Sequence, residues 1–166
     1  MLLRLSKILV TAASALFLFF VVFNNTTDYW SNYNFVDHVL SMDTTFKGNA
    51  GMWRAMPSPL IHHLFYAGII LWEFVSFLLI ALGTFKLWQA RAGSTIAWQK
   101  AKGLAALGLT LSLFQWYFAF ITIGGEWFLM WQSRIWNGQD AAFRMFTMMG
   151  IGLIYLTMRN DDLETA

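Results

Sequence analysis

Residues 58–83 read SPLIHHLFYAGIILWEFVSFLLIALG, and this stretch decides the fold. Ser58 is suited to cap a helix, and Pro59 fits the first helical position, where a missing N–H does no harm. Leu60 to Leu82 then runs through 23 residues with a single acid, Glu73, and no Lys or Arg. At 1.5 Å per residue that is about 35 Å, enough to cross a hydrocarbon core of roughly 30 Å with some tilt. A transmembrane helix is predicted. Working outward, similar stretches lie at about 5–23, 103–123 and 141–158. The predicted architecture is an all-α membrane protein, a four-transmembrane-helix bundle forming one domain over residues 1–166. The second span is placed at 60–82. The intervening segments are a long outer loop at 24–59, an inner loop at 83–102, a second outer loop at 124–140 and an inner tail at 159–166.

Composition agrees. The chain is 58% hydrophobic and 12% charged, where a soluble domain carries about 25% charged residues. The net charge of +2 rests on few ionised groups. It is read through membrane topology and gives no nucleic-acid footprint. The sequence has no cysteine, which excludes disulfides, thiolate metal sites and iron–sulfur clusters. Arg4 and Lys7 ahead of an apolar run resemble a signal peptide. The run continues from Leu16 to Phe23 without a small-x-small site, so an uncleaved anchor is expected. In the first outer loop, Phe35, Val36, Val39 and Leu40 recur at helical spacing, which predicts a short amphipathic helix on the membrane surface or capping the bundle. Asn24-Asn25-Thr26 and Asn25-Thr26-Thr27 match glycosylation acceptors, a pattern frequent by chance.

Orientation follows from the basic residues. Arg4, Lys7, Lys86, Arg91, Lys100, Lys102 and Arg159 fall on one side, and Lys47, Arg54, Arg134 and Arg144 on the other. The richer side is expected inside, with both termini cytoplasmic.

Specific strings carry a family resemblance: Phe23 to Asp28 (FNNTTD), Val36 to Phe46 (VDHVLSMDTTF), Gly51-Met52-Trp53-Arg54, and Ile123 to Arg144 (IGGEWFLMWQSRIWNGQDAAFR). Together they resemble the bacterial family of small integral membrane proteins known as domain of unknown function 2165. The resemblance covers essentially the whole chain. It implies a four-helix protein of the bacterial inner membrane, and it implies no activity.

Polar residues at membrane depth are the candidate sites. Glu73 lies 13 residues into its helix, about 20 Å below the outer end. An acid there costs roughly 2.5–3.5 kcal/mol on insertion scales. The same ruler puts Thr11, Thr110 and Tyr155 at similar depth, with Ser76 one turn further down. A buried polar layer is expected, with Glu73 protonated or hydrogen-bonded to hydroxyls. It would serve either as an interhelical knot or as a proton relay or ligand site. At the outer interface His62, His63, Glu126, Arg134, Asp140 and Arg144 form a second candidate cluster, in which Glu126 is expected to pair with Arg144 or Arg134. His38, His62 and His63 are weak metal or haem candidates, because their spacing matches no compact ligand motif. No cofactor is predicted.

Trp127, Trp131 and Trp136 suit an aromatic belt at the outer headgroups or a partner-binding rim. Trp88 and Trp98 suit the inner belt. Gly108 and Ser112, like Ala101 and Ala105, are four apart and allow close helix approach. No nucleophile–base pair or phosphate loop is present, so no enzyme is expected. The first functional expectation is a non-catalytic accessory or scaffold subunit of the cell envelope. It would meet the bilayer and another membrane or periplasmic protein, or a second copy of itself, through its outer loops. The alternatives are a proton-coupled transporter component centred on Glu73, and a haem- or metal-binding electron-transfer or sensor subunit using the histidines.

Overall fold

A computed structural model describes residues 1–159 and is all-helical over them. Helix α1 spans Leu2–Thr27, α2 Tyr29–Ser41, α3 Pro59–Ala90, α4 Thr95–Phe114 and α5 Gln139–Thr157. Single 3-10 turns occupy Met52–Arg54 and Met130–Gln132. Three helical stretches are long and apolar enough to cross a membrane: Leu2–Thr27, Pro59–Ala90 and Thr95–Trp127. Helix α5, at 19 residues, is about 28 Å long and packs on α4 and α1. Most of the tail placed at 159–166 lies outside the described residues.

The long helices pack through rows of residues seven apart. Arg4, Thr11, Leu18 and Asn25 are buried on α1, and Tyr66, Glu73, Ile80 and Leu87 on α3. Trp98, Ala105 and Ser112 are buried on α4, and Ala142, Met149 and Leu156 on α5. This repeat is the spacing of helices that cross at a shallow angle. The faces turned outward carry large apolar side chains: Leu9, Leu16 and Phe20 on α1, Leu64, Leu71 and Leu78 on α3, Ile151 and Ile154 on α5. A soluble bundle would reverse that distribution. Here the polar and small residues face inward and lipid takes the place of water outside.

Closest approach falls between α3 and α4. A Cβ on Gly83 would lie 2.2 Å from the backbone N of Ala105, and one on Gly108 would lie 2.6 Å from the Ile80 side chain and 2.9 Å from the Ser76 carbonyl. The small residues of α4 therefore meet α3 of the same chain.

The helices overrun the expected loops. The segment 83–102 is mostly helical: α3 continues through Ala90 and α4 starts at Thr95, leaving a turn at 91–94. Ser94 caps α4 by accepting from the Ala97 N–H at 3.3 Å. This extension buries groups that were read as loop. Arg4 donates to the carbonyls of Arg91 (3.1 Å) and Gly93 (2.7 Å). Lys7 and Lys102 both donate to the Met158 carbonyl. Cations thus satisfy carbonyls at the C-terminal ends of α3 and α5, where the helix dipole favours them. Trp98 is fully buried, with the Arg4 guanidinium 5.2 Å and the Lys102 ammonium 5.9 Å from its ring. It is a core residue of this end, in contrast to the headgroup position expected of it. The N-terminus, the 91–94 turn and Met158 share one end of the molecule, the terminal end. Helix α2 lies at the opposite, cap end against α3 and α1.

Helix α4 widens beyond Phe114. Gln115–Trp127 is a π-helix of 13 residues, in which Phe128 N–H reaches back to the Ile123 carbonyl at 3.0 Å and Thr122 Oγ1 donates to the Tyr117 carbonyl at 3.1 Å. Most π-helices are single turns, frequent at functional sites. This one forms a wall of the cavities described next.

Candidate functional site

The site begins with the overrun of α1. Phe23 does not end the helix; Asn24 to Thr27 continue it, and this carries Asn25 onto the buried row of Arg4, Thr11 and Leu18. Asn25 Nδ2 donates to Glu73 Oε2 at 2.7 Å. Asn25 Oδ1 accepts from Asn32 Nδ2 at 2.7 Å, and its backbone carbonyl accepts from the Tyr66 hydroxyl at 3.2 Å. Glu73 is 1% exposed, and its Oε1 accepts no hydrogen bond among the described residues. Helices α1, α2 and α3 thus meet at one carboxamide. Asn25, Asn32, Tyr66 and Glu73 line a cavity of about 320 Å³ with Trp116 and Phe120 of the π-helix. A second cavity of about 330 Å³, almost wholly apolar, adjoins it and shares Phe35, Val36, Ile69 and Phe120.

The polar layer expected at this depth is not the one present. Antiparallel α1 and α3 are registered with Asn25 opposite Glu73. Thr11 is therefore 14 residues away along α1, about 21 Å, and bonds only its own helix at the Ile8 carbonyl. Thr110 is exposed and bonds back to the Ala106 carbonyl. Tyr155 bonds Ser6 at 2.6 Å, near the terminal end. Ser76 is buried but lies against α4, its hydroxyl without a partner among the described residues. Only Glu73 of the five belongs to the chamber. The depth ruler failed because α1 and α3 both extend past their apolar cores.

The outer charge cluster also disperses. Glu126, Arg134, Asp140 and Arg144 are exposed, and Glu126 makes no ion pair with Arg134 or Arg144 among the described residues. The tight contacts run instead from α2 to α3. Buried His62 donates through Nε2 to the Met56 carbonyl at 2.6 Å and hydrogen-bonds through Nδ1 to Asp37 at 2.6 Å. His63 bonds the Tyr29 hydroxyl at 2.8 Å and stacks on Tyr33 at 4.2 Å. Burial pushes the Tyr33 phenol up from its ordinary range, and Asp37 and Tyr29 push the same way, so a neutral ring faces His63. His38 bonds Asp43 at 2.7 Å and stacks on Trp136. Each candidate histidine is committed to a different partner. Among the described residues no group of three or more His, Cys, Asp or Glu could hold a metal.

The loop tryptophans separate as well. Trp127 packs edge-on against Trp53, with Arg54 5.4 Å and 5.2 Å from the two rings. Trp131 meets Phe46, and Trp136 covers His38. Sequence reasoning missed Asn25, Asn32, Tyr66, Trp116 and Asp37. The seven-residue spacing of 4, 11, 18 and 25 was the available signal for Asn25.

Searches of curated proteins and of solved structures find no match to the chain. A family model does match, over residues 3–159. The chain belongs to the family described as "Predicted small integral membrane protein (DUF2165)", whose function is uncharacterised.

Proposed function

We propose that this protein is a non-catalytic accessory component of the bacterial inner membrane that works by binding, with the Glu73 chamber as its centre. In this reading α1, α3, α4 with its π-helical extension, and α5 form a four-helix bundle that crosses the bilayer four times. The terminal end faces the cytoplasm, because Arg4, Lys7, Lys86, Arg91, Lys100 and Lys102 gather there. Helix α2 and the loops form a periplasmic cap over the chamber. The observation that carries the reading is a carboxyl group 1% exposed, held by Asn25 in the wall of an open cavity. A buried acid is retained against its insertion penalty where it has a partner and a role, and here Oε1 accepts no hydrogen bond among the described residues.

Complementation tests it. In a strain deleted for the gene, Glu73→Gln and Asn25→Leu are expected to accumulate in the membrane at native levels and fail to restore the deletion phenotype. Full rescue by Glu73→Gln at native abundance would refute the reading. A second reading has its own observation. Trp53, 72% exposed, together with Arg54 and Trp127, forms an anchor of the composition typical of interfaces. Site-directed photocrosslinking at Trp53 would recover a protein partner if that surface docks one.

A further inference from the structure

The proposed binding role does not say what the chamber takes, and the chamber's chemistry narrows it. Its wall supplies one acidic side chain and no Lys, Arg or His. Glu73 Oε1 is unoccupied among the described residues. Trp116, 9% exposed, offers its indole face to the same cavity wall. Phe35, Tyr66, Trp116 and Phe120 line the same cavity as the acid. A carboxyl group in a cavity lined by aromatic rings suits an ammonium group, which can gain a charge-assisted hydrogen bond and cation–π contacts together. The second cavity, lined by Phe65, Trp72, Phe118 and Ile123, shares Phe35, Val36, Ile69 and Phe120 with the first. One polar and one greasy compartment in series fit a molecule with a polar head and an apolar tail.

We infer that the paired cavities bind a lipophilic amine, its ammonium on Glu73 and its tail in the apolar chamber. The head must also offer little bulk, since α2 closes over it through Asn32 and Val36. The inference rests on the chamber being the functional centre, and it adds the ligand's charge and shape.

The test uses the full-length protein in phosphatidylcholine nanodiscs, titrated calorimetrically with octylamine, with empty nanodiscs subtracted to remove partition into lipid. Saturable one-to-one binding is expected. Glu73→Gln should weaken it at least 10-fold. Trp116→Phe, which keeps an aromatic ring and tests the site without altering the acid, should weaken it 3- to 10-fold. Octanol and octanoate at equal concentration should not compete, nor should raising sodium chloride from 20 to 100 mM. Equal binding by Glu73→Gln, absence of saturation, or displacement by sodium would overturn the inference. Octanol competing as well as octylamine would also overturn it, by showing that the site takes neutral amphiphiles. None of these results touches the complementation outcome for Glu73→Gln, so the broader reading stands or falls separately.

Discussion

Gly83→Ala is the substitution whose effect can be worked most directly from the geometry. The new methyl carbon would sit 2.2 Å from the Ala105 backbone N, 2.6 Å from its Cα and 2.7 Å from its Cβ. Ordinary contact begins at 3.4 Å, so α3 and α4 must part locally by about 1.2 Å. The obstacle is backbone, which cannot rotate aside as a long side chain can. Parting also loosens the neighbouring contact of Gly108 with Ile80 and Ser76. Overpacking of this kind costs about 1–3 kcal/mol. Gly103→Ala is the matched control: its Cβ would meet nothing within 4 Å, and replacing an open helical glycine by alanine stabilises by about 0.5–1 kcal/mol. The two single-methyl changes should therefore move unfolding in opposite directions, separated by roughly 1.5–4 kcal/mol on those figures. Equilibrium unfolding by sodium dodecyl sulfate in mixed micelles, followed by circular dichroism, reads the difference. Equal stability of the two variants would refute the close α3–α4 packing.

Other outcomes follow from the same geometry. His62→Ala removes its bonds to Asp37 of α2 and to the Met56 carbonyl; with Asp37 partly exposed, the local loss should be about 2 kcal/mol, seen as faster proteolysis between residues 42 and 57 with the long helices intact. Arg4→Met leaves the Arg91 and Gly93 carbonyls without their donor and should cost about 2 kcal/mol, whereas exposed Lys86→Ala should stay within about 0.5 kcal/mol of native; similar unfolding midpoints would contradict the capping role. Because the chain has no cysteine, single cysteines at residues 92 and 137 can be labelled from either side of intact cells. A membrane-impermeant maleimide should reach 137 from outside and 92 only after permeabilisation.

The helical class and the three long apolar helices were legible because hydropathy is a long-range signal. A run such as Leu60–Leu82 has one physical solution in lipid, and the apolar character of α1, α3 and α4 survives any error in their ends. The interior was harder to read. In a membrane bundle the buried face is not the most apolar one, so Thr11, Asn25, Glu73 and Ser112 share the packing rows with Leu18 and Ile80. Hydropathy cannot separate those rows from the lipid-facing ones; only the seven-residue spacing does. Asn24-Asn25-Thr26-Thr27 reads as a loop by composition, yet it is the last helical turn of α1. That turn sets the level at which Glu73 finds its partner, which is why the predicted layer of hydroxyls gave way to two asparagines and Tyr66. The small residues of α4 were visible in sequence, and Gly83 was not, because it had been counted with the loop. The basic residues Arg4, Lys7 and Lys102 read as a topology signal. They also cap helix ends, a role that depends on which carbonyls lie within reach in three dimensions.

The central claim is that α1 and α3 are locked in register by the contact between Asn25 and Glu73, which builds the chamber. A double-mutant cycle measures it: native protein, Asn25→Ala, Glu73→Ala and the double variant, each unfolded in mixed micelles. Interhelical hydrogen bonds in membranes range up to about 1.7 kcal/mol, and those to an acid lie at the upper end, so a coupling of about 1–2 kcal/mol is expected. Additive losses, with coupling within about 0.3 kcal/mol as for sites that do not touch, would contradict the account.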